Sequence, residues 1–212
     1  MEPQECWTAI AGQRRAVAEL LAGLATAEWE TPSLCAGWRV RDVAAHLAMT
    51  PLPPGPLIMA AEAIRAGGRF HRFNHVMAVR HAQRPTTELV AELREHAGSR
   101  RLPAVTTVSN ALFDVLVHSQ DIAVPLGRRL PMPTRAAAAG ATRVWTMGWP
   151  FWARRRFRGV RLTATDTDWS VGAGPEITGP IEALLLLLTG RAAALPRLTG
   201  AGLAHRSATA TE

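Results

Sequence analysis

Lysine and tyrosine are absent from this 212-residue sequence, and cysteine occurs only as Cys6 and Cys35. With no lysine, all 24 cationic side chains are arginine, which alongside abundant alanine and glycine reads as the coding bias of a GC-rich genome. Two isolated thiols with no CxxC pair exclude a disulfide framework. Long apolar runs are missing too. The most hydrophobic uncharged one, ALLLLLTG at residues 183–190, is far shorter than the ~20 residues a bilayer span needs. The first twenty residues carry Glu2, Glu5, Arg14, Arg15 and Glu19, so no secretory signal is expected there. These absences predict a soluble, cytoplasmic protein with no membrane partner.

Hydrophobic residues make up 48% of the chain, enough to bury a real core and to exclude wholesale disorder. The length allows one large domain, or one domain with a small appendage. A net charge of +7 suits nucleic acid, a membrane surface or a small anionic substrate. The densest basic run, ARRRFRG at residues 153–159, has no zinc-finger spacing and no aromatic-glycine RNA signature beside it. It reads as a solvated helix end. Nucleic-acid binding through Arg154, Arg155, Arg156 and Arg158 is the rival reading, and no nucleic-acid partner is expected.

Hydrophobic periodicity predicts helices over residues 5–27, 40–49, 56–67, 86–98 and 104–124. The stretch TRAAAAGATRVWTMGWPFWARRR predicts one more, broken near Pro150. Pro32 and Gly37 mark a loop before the second helix, and Asp42 falls in that helix's first turn, where a negative charge suits the dipole. The histidine-rich segment at residues 67–85 has no clear pattern. After residue 158 the period changes: VRLTATDTDWSVGAG alternates, turns at Asp166–Asp168 and resumes, which predicts a β-hairpin. GPIEALLLLLTGR then reads as a buried helix closed by Gly190. The expected architecture is a helical bundle followed by a small α+β unit.

The stretch DVLVHSQDIAVPLG, beginning at Asp114, carries the chemistry. Residues four apart on a helix lie about 40° apart and about 6 Å apart along the axis, so Asp114 and His118 can aim at one point, and Asp121 continues their stripe. Such a stripe can be simply solvent-facing. Yet Leu102 to Gly127 contains no Arg or Glu, and its only charges are Asp114 and Asp121. A helix buried nearly all round needs partners for a histidine and a carboxylate, and a metal would supply one. The candidate third ligand is His46, on the stripe of Val43, Leu47 and Thr50 that should face the bundle; a hydrogen-bonded core histidine is the plainer alternative. His71, His75, His81 and His96 are rivals in an arginine-laden segment expected to be exposed, and His205 lies in a tail expected to fray. Cys35 reads first as a small buried hydrophobe, with nucleophile or fourth ligand as alternatives. Trp7 and Trp38 read as core.

The blocks WETPSLCAGWRVRDVAAHL and LFDVLVHSQDIAVPLGR, with the tail RLTATDTDWSVGAGPEITGPIEALLLLLTGR, resemble the mycothiol-dependent maleylpyruvate isomerase family of the DinB-like superfamily. The resemblance implies an actinobacterial, mainly α protein. A DinB-like four-helix bundle would occupy residues 1–153 and a small α+β C-terminal domain residues 154–207, followed by a disordered tail at 208–212. It implies a divalent metal, usually zinc, on His46, Asp114 and His118. The family usually carries Glu where this chain has Asp114, a methylene shorter, so direct ligation, ligation through water and no ligation all stay open.

Arg191 matches an arginine the isomerases need. It can clamp a carboxylate or cap its helix. Asp121 can orient His118 or cap the end of its own helix. The implied cofactors are zinc and mycothiol, and the implied partner is a small, electrophilic, anionic substrate. A metal-bound thiolate adding to a C=C bond, followed by rotation and elimination, gives isomerisation; addition or displacement alone gives S-transfer. The alternative is a non-catalytic binding or regulatory module on the same bundle. Nothing in the residues fixes the oligomeric state.

Overall fold

The computed structural model describes residues 1–52, 70–102 and 106–204, apart from the side chains of residues 70–73. The helix expected over 56–67, the tail 208–212, His205 and the side chain of His71 lie outside these residues. The described helices are α1 (Pro3–Ala22), α2 (Val40–Met49), α3 (Phe70–His81), α4 (Thr86–Glu95), α5 (Val108–Ala123), α6 (Thr134–Thr146), the single turn α7 (Ala153–Arg156) and α8 (Ile181–Leu188). Strands β1 (Arg161–Ala164), β2 (Ser170–Gly172) and β3 (Glu176–Gly179) form one sheet, and 3-10 turns cover Thr26–Glu30 and Ala192–Arg197. No helix among the described residues is long and apolar enough to cross a membrane.

Local chemistry sets the helix ends. The backbone N–H of Glu2 donates to the Glu5 carboxylate at 2.9 Å, starting α1. The backbone N–H of Arg39 donates to Asp42 at 2.8 Å, starting α2. Thr107 accepts from the Asn110 N–H at 3.3 Å and caps α5. Helix α1 stops at Ala22, short of the expected residue 27, because the Gly23 N–H closes back on Leu20 and the chain restarts as the first 3-10 turn. α4 likewise ends at Glu95, where His96 closes the last turn.

α1, α2, α4 and α5 close a four-helix ring: α1 packs on α4 and α5, and α2 packs on the same two. The segment without a legible pattern contains α3, which lies against α2. α6 packs on α5 and on α8. The sheet order is β2-β1-β3, with the expected hairpin as β1 and β2 and with β3 parallel to β1, pairing Leu162 with Ile177. The hairpin turn also caps the next helix, since the Ile181 N–H donates to Asp166 at 2.8 Å. Leu184 to Leu188 are all buried, each stabilising by roughly 1.5–3 kcal/mol. One apolar cluster runs from Ile10 and Leu47 through Leu116 and Val144 to Leu185 and Ile177.

Candidate functional site

The site lies where α2 meets α5. Helix α5 buries Leu112, Phe113, Leu116, Ser119, Gln120 and Asp121, and leaves Asp114 and His118 on one half-buried face. Two turns into α2, half-buried His46 stands beside buried Val43 and Leu47. The donor atoms of His46, Asp114 and His118 all lie within 4.8 Å of one another. The Asp114 carboxylate offers one oxygen to each imidazole, Oδ2 at 3.3 Å from His46 Nε2 and Oδ1 at 3.4 Å from His118 Nε2.

This geometry tests whether a metal fits. Zinc bonds to nitrogen and oxygen of roughly 2.0–2.1 Å define a tetrahedron with an edge of about 3.3–3.4 Å, and each imidazole stands at about that spacing from one oxygen of Asp114. The shorter aspartate therefore reaches both histidines without a glutamate's extra methylene.

Behind His118 is a buried polar cluster. His118 Nδ1 lies 2.8 Å from Asp121 Oδ2, leaving Nε2 toward Asp114. Asp121 is fully buried and is clamped by Arg191, with Nε donating to Oδ1 at 3.0 Å and Nη2 to Oδ2 at 2.7 Å. Arg191 also donates through Nη1 to the Thr189 carbonyl at 2.7 Å. Clamp and cap are thus combined in one residue. Gly190, at φ +90, lets the chain leave α8, and the Arg191 N–H bonds back to Leu186.

Cys35 and Trp38 depart from their sequence reading. The loop carrying them is pinned to the end of α5 by the Leu34 N–H on the Asp121 carbonyl, and it is closed on itself by Ser33. The Cys35 thiol donates to Asp121 Oδ2 at 3.0 Å and lies 3.6 Å from His118 Nδ1 and 3.5 Å from Arg191 Nη2. It is a member of the polar cluster and not an inert hydrophobe. It sits on the Nδ1 side of His118, away from the Asp114 oxygens. The Trp38 ring stacks parallel to His118 at 6.3 Å and meets His46 edge-on at 5.6 Å. Half-buried Trp38 thus forms a wall of the site.

Of the histidines expected to be exposed, His75, His81 and His96 are half-buried. His75 lies 5.9 Å from the Trp38 ring, and His81 bonds Glu92 at 2.7 Å. Arg14, a charge with no helical-spacing signal toward the site, is buried in α1, caps α4 through the carbonyls of Ala97 and Ser99, and lies in the field of Asp114.

Electrostatics bind the cluster together. Burial pushes Asp114 upward, but the charges of His118 and His46 outweigh it and hold the carboxyl well below the usual range. Burial likewise opposes ionisation of Asp121, and hydrogen bonds from His118 and Arg191 reverse that. Burial disfavours a charged His118, yet Asp114 and Asp121 raise its pKa well above the ordinary imidazole value. Such a donor set favours a cation at its centre, whether a proton or a metal ion.

Residues 10–105 match the family model described as the mycothiol maleylpyruvate isomerase N-terminal domain. That segment includes Cys35, Trp38 and His46 and ends before Asp114. The whole fold is similar to the crystal structure of the mycothiol-dependent maleylpyruvate isomerase, at TM-score 0.64 and 16% identity over 95% of this chain and 93% of that one. A histidine-to-alanine mutant of that enzyme aligns at TM-score 0.60, with the same identity and coverage. Among curated proteins no sequence matches. Residues 10–105 thus carry the likeness to the mycothiol maleylpyruvate isomerase N-terminal domain, and the bundle with its C-terminal α+β unit is similar in fold to such an isomerase.

Proposed function

We propose that this protein is a divalent-metal- and mycothiol-dependent enzyme of the maleylpyruvate isomerase type, acting in the cytoplasm on a small anionic electrophile. The observation that carries the proposal is the convergence of His46, Asp114 and His118 from two helices. Zinc is the metal such a His2Asp set suits best, and three protein ligands leave a fourth position for an outside donor. When bound, the ion lowers the pKa of a coordinated thiol, so the thiolate is the reacting form at neutral pH.

The chain's own residues then have separable roles. Asp121 holds the His118 ring with Nε2 toward the site, and Arg191 holds Asp121, so both are positioning residues. Cys35 fills a further acceptor direction of Asp121 Oδ2. Trp38 shields both imidazoles from water on one side. Two carboxylates, Asp114 and Asp121, are offset by two guanidiniums, Arg14 and Arg191. A divalent ion would therefore leave the site net positive, which favours a thiolate and an anionic substrate. Cis–trans isomerisation is addition, rotation and elimination; S-transfer shares the first step. The alternative is a non-catalytic module on the same bundle, and a turnover assay separates the two.

Turnover of maleylpyruvate to its trans isomer tests the proposal. Conversion should require both mycothiol and metal and should fall by at least about a hundredfold in His46→Ala. Turnover that persists without thiol, or in that variant, would overturn it.

A further inference from the structure

We propose that the groove lined by Phe151, Trp152, Arg155, Arg156, Arg158 and Arg191 is a binding site for a small planar carboxylate, recognised chiefly by Trp152, Arg155 and Arg158. Its identity as the substrate's anchoring site rests on the function proposed above; its binding of carboxylates does not.

The charge of the groove is the first argument. Four arginines line it and no carboxylate does. Among the described residues, neither Arg155 nor Arg158 has an ion-pair partner, and both are exposed. Arg156 is fixed across the groove by its hydrogen bond to the Leu188 carbonyl at 3.1 Å, which ties α7 to the end of α8. Guanidinium forks are matched to carboxylates by geometry as well as charge.

The backbone at Trp152 is the second. This residue has φ 51 and ψ 36, a left-handed conformation unfavourable for a bulky side chain, and it is 53% exposed. Its N–H donates to the Gly148 carbonyl at 2.7 Å, and its own carbonyl accepts from the N–H groups of Arg155 and Arg156. The ring rests so close over Gly148 that a β-carbon there would meet it at 3.2 Å. Its position is therefore fixed although half of it faces solvent. A flat unsaturated acid can stack on this ring while its carboxylate meets the arginines of the adjoining turn.

The third argument is location. Arg191 closes the inner side of the groove and is the same residue that clamps Asp121 behind His118. A ligand in the groove is thus linked to the candidate metal ligand His118 through two residues, Arg191 and Asp121. The ligand class that fits is a flat acid, its carboxylate held at the outer arginines and the rest of the molecule directed inward.

Calorimetric titration of the full-length protein with maleate tests this, with neutral dimethyl maleate and a single-stranded oligonucleotide as comparison ligands. Maleate should bind with one site per chain and the diester about tenfold or more weaker. The paired substitution Arg155→Gln and Arg158→Gln should weaken maleate about tenfold or more with thermal unfolding unchanged. Trp152→Gly should also weaken it, while unfolding at no lower temperature, because glycine accepts the left-handed backbone. His46→Ala should bind maleate as the unmodified protein does, so loss of turnover in that variant leaves the groove intact. Equal binding of acid and diester, or full binding by the double arginine variant, would overturn the proposal. So would an oligonucleotide that binds more tightly than maleate with steep salt dependence.

Discussion

Asp121 has no solvent exposure and yet stays ionised, because Arg191, His118 and Cys35 all address its two oxygens. Asp121→Asn removes the acceptor that orients His118. Zinc affinity measured by competition with a chelator is expected to fall roughly 10–100-fold. Arg191→Ala strands the buried carboxylate and should cost roughly 3–5 kcal/mol in urea unfolding. Adding Asp121→Ala should restore part of that loss, so the double variant costs less than the two single ones combined. At this scale the sequence was legible where helical spacing does the work: Asp114, His118 and Asp121 share a stripe that four-residue periodicity predicts. Cys35 was not legible as a polar residue, because its partners lie 83, 86 and 156 positions away. Trp38 was hidden for the same reason, since its stacking on His118 depends on how the Ser33–Trp38 loop is pinned to α5.

α2 shows how an element sets the site. Its start is fixed by Asp42, which accepts from the Arg39 N–H and pairs with the Arg39 guanidinium at 2.9 Å through both oxygens. Burial pushes Asp42 up, but the Arg39 hydrogen bonds outweigh it and hold the carboxyl below its ordinary range. The folded pKa is thus lower than the unfolded one. The stability Asp42 adds is complete above the unfolded carboxylate value, about 3.9, and is lost as pH falls through the folded value. Acid unfolding of Asp42→Asn should accordingly show a shallower loss below about pH 4 than the unmodified chain, with lower stability at neutral pH. In the sheet, Gly172 has φ +80, and a β-carbon there would lie 2.2 Å from the Val160 carbonyl oxygen. Gly172→Ala should lower the melting temperature by several degrees, on the order of 4 °C, in a calorimetric scan. α2 and the β1–β2 hairpin were legible because caps and alternation are local signals. α3 was not, since its apolar residues make no clean stripe and its packing on α2 supports it. Nor was β3, four residues long between Pro175 and Pro180, whose pairing with β1 is made only in the folded chain.

The described residues carry one continuous apolar cluster, shared by the bundle and the C-terminal unit through α6 and α8. Arg191, through Asp121, adds a polar tie between the same parts. The resemblance implies a division at residue 153, and the change of period after residue 158 marks a change of secondary structure; neither speaks to separate cores. We propose that the two parts unfold together, and differential scanning calorimetry should show a single transition; two resolved transitions would mean two independent cores. The bundle and the appended α+β unit were readable from pattern and resemblance. Their shared core was not, because it depends on tertiary packing of α8 against α6.

Cobalt(II) titration of the metal-free protein, with and without a thiol, tests most directly whether His46, Asp114 and His118 hold one divalent ion with room for sulfur. The predicted result is one cobalt per chain with the intense visible bands of tetrahedral coordination, and a thiolate-to-metal charge-transfer band when thiol is added, both lost in His46→Ala and in His118→Ala. Absence of stoichiometric binding, or binding that survives both substitutions, would contradict it.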